Sequence, residues 1–194
     1  MDNHADTQVQ KLFSTSYSLT TYMSTISFFS SIDAITTQPY SVDLYLSHIQ
    51  DGLWREMLEP IRQGVSEADS CNSLPIVAIS GLFSIHTNGL SLIQHSGFIA
   101  MDVEGFRDLQ RGKQILALDK YTYAVFENYS SKALTVVVRI PASDHMKAYQ
   151  ALSEYYEGIY GIITDPSDQF VTRFRYVTYD PGLTGNPEAE VFCV

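Results

Sequence analysis

At 194 residues, 45% of them apolar, the chain is long enough to bury one sizeable core and short for two ordinary domains, so one domain over residues 1–194 is expected. Its net charge of −10 argues against strong autonomous binding of duplex nucleic acid and leaves any such contact to a local patch, a bound metal or a partner. No run of about 18 apolar residues is present to span a bilayer, and the first ten residues are polar rather than signal-like, so a cytoplasmic protein without membrane contact is expected.

The opening forty residues are rich in Ser, Thr and Tyr and read as a partly loose leader over 1–40, with a first strand at Thr25–Phe29. From Ser41, a capping candidate, Leu44, Ile49, Leu53, Met57 and Ile61 recur at helical spacing beside Trp54, with Pro60 placed to end or kink the helix. Cys71 follows in a polar linker. It and Cys193 stand in no metal spacing, fit a reducing compartment, and read as buried or incidental. Leu74–Phe83 reads as a buried strand bent at a glycine, and Asn88-Gly89 as a hairpin turn.

Leu90–Asp102 reads as a strand, broken near its start by Ser96-Gly97, and a helix is expected from Phe106 to about Leu116. Tyr121–Glu127 and Leu134–Ile140 are rich in β-branched and aromatic residues and predict an antiparallel pair around a Ser-rich loop. A helix is expected from Pro141 through Tyr160, with Ser143 as cap, Gly161 as stop, and Met146, Tyr149, Leu152, Tyr156 and Ile159 as its core face. Phe174–Tyr179 reads as the last strand, ahead of a turn at Asp180-Pro181-Gly182. The whole predicts an α+β domain with a mixed, mainly antiparallel sheet and packed helices.

Chemistry concentrates in the second half, which holds nine of the twelve bases and thirteen of the twenty-two acids. Asp102 and Glu104 are one residue apart on a strand, so they project to the same side, where hard oxygen ligands suit Mg²⁺ or Mn²⁺. A strand end facing water is the alternative. Asp165 with Asp168, and Asp180, also follow apolar stretches and read either as further acids of a carboxylate cradle or as turn initiators before proline. Arg173 and Arg175, one strand period apart, could face a triphosphate or pair with neighbouring acids. Lys132, beside Ser130 and Ser131, could meet a phosphate or simply decorate a hairpin. The five histidines show no zinc spacing, and His95 reads as structural.

Taken in order, Leu74-Pro75, Ser80-Gly81-Leu82-Phe83, His95 through Glu104, the Ser-rich loop, Asp165 to Arg173, and Val177-Thr178-Tyr179-Asp180-Pro181 ending in Asn186-Pro187-Glu188-Ala189 resemble the VirE N-terminal domain. That domain stands at the front of primase and helicase-like proteins of Bacteroidetes and their phages and mobile elements, and is related to archaeo-eukaryotic primases of the Prim-Pol type. The resemblance implies a primase-polymerase (RRM-like) core and metal-dependent nucleotidyl transfer in replication. It implies Asp102, Glu104 and Asp165 as catalytic ligands of Mg²⁺ or Mn²⁺, and Ser130, Lys132 and Arg173 as contacts to a nucleotide triphosphate on a nucleic-acid template. A helicase would be a separate partner.

The loop departs from the family's S-x-S-G-K-G-L-K. Asn128-Tyr129-Ser130-Ser131-Lys132-Ala133-Leu134-Thr135 lacks both glycines and the final basic residue, so the nucleotide pocket is expected to be reshaped. The other reading is a catalytically degenerate relative that acts by binding protein.

Overall fold

The computed structural model describes residues 24–65, 72–87 and 89–194, which leaves Cys71, Asn88 and most of the expected leader outside the described residues. The element order is β1 (Thr25–Phe29), β2 (Gln38–Ser41), α1 (Val42–Asp51), α2 (Arg55–Arg62), β3 (Ile76–Ala78), β4 (Gly81–His86), β5 (Gly89–His95) and β6 (Phe98–Glu104). Then follow α3 (Leu109–Leu116), β7 (Thr122–Glu127), β8 (Leu134–Arg139), α4 (His145–Tyr160), β9 (Ile163–Thr164), a 3₁₀ turn (Pro166–Gln169), β10 (Arg175–Tyr176) and β11 (Thr184–Gly185). The fold is α+β. Every described strand pairing is antiparallel, in sheets ordered β10-β3-β1-β2, β11-β7-β8-β6-β9, and a separate β4-β5 hairpin.

The five-stranded sheet has two apolar faces, and β6 shows why. Its residues alternate sides. Ile99, Met101 and Val103 join Leu116 of α3 and Tyr149, Leu152 and Tyr156 of α4, whereas Phe98 and Ala100 join Tyr45, Ile49, Trp54, Leu58 and Val77 from α1, α2 and the first sheet. Asp102 continues the second of these rows, so it emerges between the two sheets. That placement follows from the strand period alone once the register is set.

Several sequence expectations are corrected by packing. The long helix after Ser41 is two helices, because Gly52 takes φ +76° and turns the chain before buried Trp54. Its core residues are Val42, Tyr45, Ile49, Leu58 and Ile61, while Leu44, Leu53 and Met57 face solvent. Pro60 does not end α2, which runs on to Arg62.

Leu74–Phe83 is split between two sheets at Ile79-Ser80. Gly81 starts β4, where an added Cβ would meet the carbonyl oxygen of Gln94 at 2.4 Å. In α4, Met146 and Ile159 are exposed, the core face is Ala148, Tyr149, Leu152 and Tyr156, and the capping position is Asp144 rather than Ser143. The expected strand Phe174–Tyr179 shortens to Arg175–Tyr176. Cys193 is exposed rather than buried. Among the described residues no helix is long and apolar enough to cross a membrane.

Candidate functional site

Strand pairing gathers the acids. Val103 pairs with Thr164 and Glu104 with Ile163, so the antiparallel register continues to Asp165 beside Asp102, whose carbonyl accepts the Asp165 N–H at 2.9 Å. Asp102, Glu104 and Asp165 therefore share one face of the β6-β9 edge. A fourth acid, Asp168, is delivered from the 3₁₀ turn. Asp165 caps that turn, its Oδ1 accepting from the N–H and hydroxyl of Ser167 at 2.9 and 2.7 Å.

Two arginines hold the cluster together. Arg175, 92% buried, donates through Nη2 to Asp168 Oδ1 and to the Ala100 carbonyl. Its Nη1 lies 2.6 Å from Asp102 Oδ2 but out of line for a hydrogen bond, so that contact is electrostatic. Arg173 is half-buried at the rim and bridges Asp165 Oδ2 at 3.1 Å and Asp168 Oδ1 at 3.3 Å. Thr135 of β8 sits directly across from Asp102 and donates its hydroxyl to Asp102 Oδ1 at 2.6 Å.

Charge follows burial. Burial pushes the fully enclosed Asp168 carboxyl up to about 6, with Arg175 pulling it back and the charge of Asp102 adding to the rise. Burial also opposes the charge of Asp165, but the Ser167 hydrogen bonds and the two guanidiniums outweigh it and hold that carboxyl below the usual range. Burial disfavours the Arg175 charge too, yet Asp102 and Asp168 hold the guanidinium protonated above its ordinary value.

Of these acids Asp102 alone lines a cleft of about 200 Å³, together with Tyr45, Phe126, Asn128, Tyr129, Thr135, Arg173, Phe174, Arg175, Tyr176 and Thr178. Arg173, Phe174 and Tyr176 also line a neighbouring cleft of about 420 Å³ that includes Ile32, Ser167 and Phe170. The hairpin loop after β7 forms one wall. Asn128 Oδ1 organises it by accepting from the Ser130 hydroxyl and the Lys132 N–H at 3.1 and 3.2 Å. Arg62 then fastens the loop to the core, donating to the carbonyls of Asn128, Tyr129 and Tyr179 and to the Thr178 hydroxyl while stacking 4.0 Å over the Tyr179 ring.

Of the residues singled out from sequence, Asp102, Asp165 and Arg173 converge with Arg175 and Asp168. Glu104 is exposed at the end of β6, on the same side. The side chain of Lys132 is exposed, and neither it nor Ser130 lines the acidic cleft; the loop contributes Asn128 and Tyr129 there. Asp180 lies apart, buried against Lys113 Nζ at 2.8 Å and accepting the Glu127 and Gly182 N–H groups. Arg62 carried no sequence signal, since its acceptors lie 66 residues or more along the chain.

Hard carboxylate oxygens are the right donors for Mg²⁺ or Mn²⁺. Among the described residues, however, no three metal-binding side chains converge on one point, because Asp102 and Asp165 are turned to arginines and hydroxyls.

An antiparallel α+β domain with an arginine-braced acidic cleft between two sheets is the class that fold and site define. Over residues 70–184, more than half of the chain, the sequence matches the family described as BT4734-like, N-terminal domain, and the protein belongs to that family. No curated protein and no solved structure matches the chain. The matched stretch contains every candidate site residue and omits α1 and α2, which supply Tyr45 and Arg62.

Proposed function

We propose that the chain is a single primase-polymerase-like domain that binds a nucleoside triphosphate and serves nucleotidyl transfer in the replication of a phage or mobile element, in a cytoplasmic setting. The observation that carries this reading is the cleft at Asp102, which shares Arg173, Phe174 and Tyr176 with the second cleft. Its aromatic and amide walls, Tyr45, Phe126, Asn128, Tyr129 and Tyr176, suit a base and sugar, and Arg173 at the shared rim suits the phosphates. The sequence resemblance to the VirE N-terminal domain, itself related to primases of the Prim-Pol type, supports the same assignment.

The resemblance assigns Asp102, Glu104 and Asp165 to Mg²⁺ or Mn²⁺, and holding it would require Asp102 and Asp165 to turn from their arginine and hydroxyl partners; bound there, the metal would supply activation of an attacking 3′-hydroxyl and neutralisation of the leaving pyrophosphate. Arg173 has a part of its own. Its bridge to Asp165 and Asp168 keeps the guanidinium at the cleft mouth, where a phosphate can exchange for the half-exposed Asp165 carboxylate. Nucleic-acid template and a separate helicase are the partners this reading requires.

A second reading, a catalytically silent relative that binds protein, is favoured by one observation: both oxygens of Asp102 and of Asp165 already face donors within the chain. Template-dependent extension with Mn²⁺ separates the two. Glu104→Gln is the informative variant, because Glu104 is exposed and its replacement should leave the fold intact. Extension that disappears in Glu104→Gln and Asp102→Asn supports catalysis. Absence of both extension and any thermal shift with Mn²⁺ and nucleotide refutes it.

A further inference from the structure

The floor of the cleft at Asp102 is one row across the five-stranded sheet, Phe126 of β7 beside Thr135 of β8 beside Asp102 of β6. Tyr45 of α1 stands against the Phe126 end of that row, ring edge to ring face with centroids 6.4 Å apart. Arg173, Phe174 and Tyr176 are shared with the second cleft, so Tyr45 and Asn128 belong to the end away from it. Tyr45 is only 1% exposed, and among the described residues its hydroxyl has no hydrogen-bond partner. Nor is that oxygen sealed, since the sealed and unpartnered side-chain polar atoms among the described residues are Thr37 Oγ1 and Arg175 Nη1. The trace of surface that Tyr45 keeps is therefore at its hydroxyl, on the cleft.

Leaving a buried hydroxyl unpaired is destabilising, and a ligand atom that completes it recovers that loss. The neighbouring hydroxyls have spent their protons, Thr135 on Asp102 Oδ1 and Thr178 on the Glu127 carbonyl. Asn128 Oδ1 is taken up by the loop, accepting from the Ser130 hydroxyl and the Lys132 and Ala133 N–H groups, so the amide offers the cleft its NH₂. Burial pushes the Tyr45 pKa up, so at neutral pH the hydroxyl keeps its proton. This end of the cleft holds donors and lacks an acceptor for them.

We infer that the Tyr45 hydroxyl, with the Asn128 amide as the second donor of that end, donates to the minor-groove acceptor of the incoming base, N3 of a purine or O2 of a pyrimidine. The inference rests on the nucleotide reading above. Phosphates held at Arg173 leave the base to the opposite end, where Tyr45 and Asn128 stand. A template-directed site must admit all four bases, so a fixed donor can serve only an atom that every base presents, and the minor-groove edge supplies one. Tyr45 precedes the matched stretch 70–184, so the family match assigns it no role.

Titration calorimetry on the full chain with Mg²⁺ tests this. ATP, GTP, CTP and UTP should bind within a few-fold of one another. 3-Deaza-ATP, which lacks the N3 acceptor, should bind roughly threefold to tenfold more weakly than ATP, whereas 7-deaza-ATP should bind as ATP does. Tyr45→Phe should weaken all four nucleotides by that same factor and abolish the difference between ATP and 3-deaza-ATP. Its urea midpoint should match wild type, because the hydroxyl holds no bond in the free protein. Nucleotide binding with no 3-deaza penalty, a penalty that 7-deaza-ATP shares or that survives in Tyr45→Phe, binding of one base alone, or a fallen midpoint overturns this contact and leaves the nucleotide reading standing. Binding of no nucleotide overturns that reading and this contact with it.

Discussion

Replacing Arg175 with Met tests the assignment of this guanidinium as the internal counter-ion of the acidic cluster. Arg175 is almost fully enclosed, Asp168 is wholly so, and Asp102 retains an exposed edge. Methionine fills most of the volume but leaves Asp168 with only the Arg173 Nε at 3.3 Å and the Asp102 N–H at 2.7 Å. Removing one partner of a buried pair costs about 3–5 kcal/mol, and the surviving Arg173 contact puts this case near the lower end, about 3 kcal/mol. For a domain of this size that is a fall of roughly 1 M in the urea midpoint at pH 7.

The pH dependence carries the sharper test. Asp168 already has a folded-state pKa of about 6, above its unfolded value, so its contribution is fully present below about pH 4 and is lost as pH rises through 6. Without Arg175 the folded value climbs further and the loss extends to higher pH. The gap between variant and wild type should therefore be widest at pH 7 and narrow toward pH 5. Asp168→Asn combined with Arg175→Met should lose less than the two single changes added together. A midpoint unchanged at pH 7, or a gap that widens on acidification, would refute the counter-ion argument.

Three further outcomes are expected. Ser131 holds φ +53° in the loop between β7 and β8; Ser131→Gly relieves roughly 1–2 kcal/mol of left-handed strain against roughly 0.5–1 kcal/mol of extra unfolded-state entropy, so its thermal midpoint should rise slightly and that of Ser131→Val should fall. The Asp168 carbonyl can only accept, so His145 donates from Nε2, His95 donates from Nε2 to His145 Nδ1, and His95 Nδ1 accepts from Gly97; long-range ¹H–¹⁵N spectra should show both rings neutral with the proton on Nε2. Burial and the neighbouring His145 depress His95 to about 4, so the stability it contributes is complete above pH 6.5 and lost as pH falls through 4, and titration of His95 near 6.5 would contradict the assignment. Arg62→Lys should speed amide exchange at residues 128–133 roughly tenfold or more, because an ammonium cannot reproduce the guanidinium fork or its stacking; unchanged exchange would remove Arg62 from the loop's support.

Local rules made part of this molecule legible and long-range pairing made the rest. The strand period placed Asp102 and Glu104 on one side, and β-branched content marked β7 and β8, because both features are written within a few residues. The helix stripe through Leu53 and Met57 misled, since a single left-handed residue at Gly52 rotated everything after it. The site shows the same division. Asp165 could be suspected, but only the β6-β9 register sets it beside Asp102.

Arg173 and Arg175 were visible as a same-side pair, yet their difference in role arises from burial: one is half-exposed at a cleft mouth, the other is sealed between Asp102 and Asp168. Thr135 gives the clearest case of what sequence could not carry. Along the chain it is one β-branched residue of a strand, whereas across the sheet it is the hydroxyl that faces Asp102. A lysine there would set an ammonium beside a carboxylate that Arg175 already neutralises. The threonine and the buried arginine thus belong to one arrangement, in which Asp102 is charge-paired from below and hydrogen-bonded from the side.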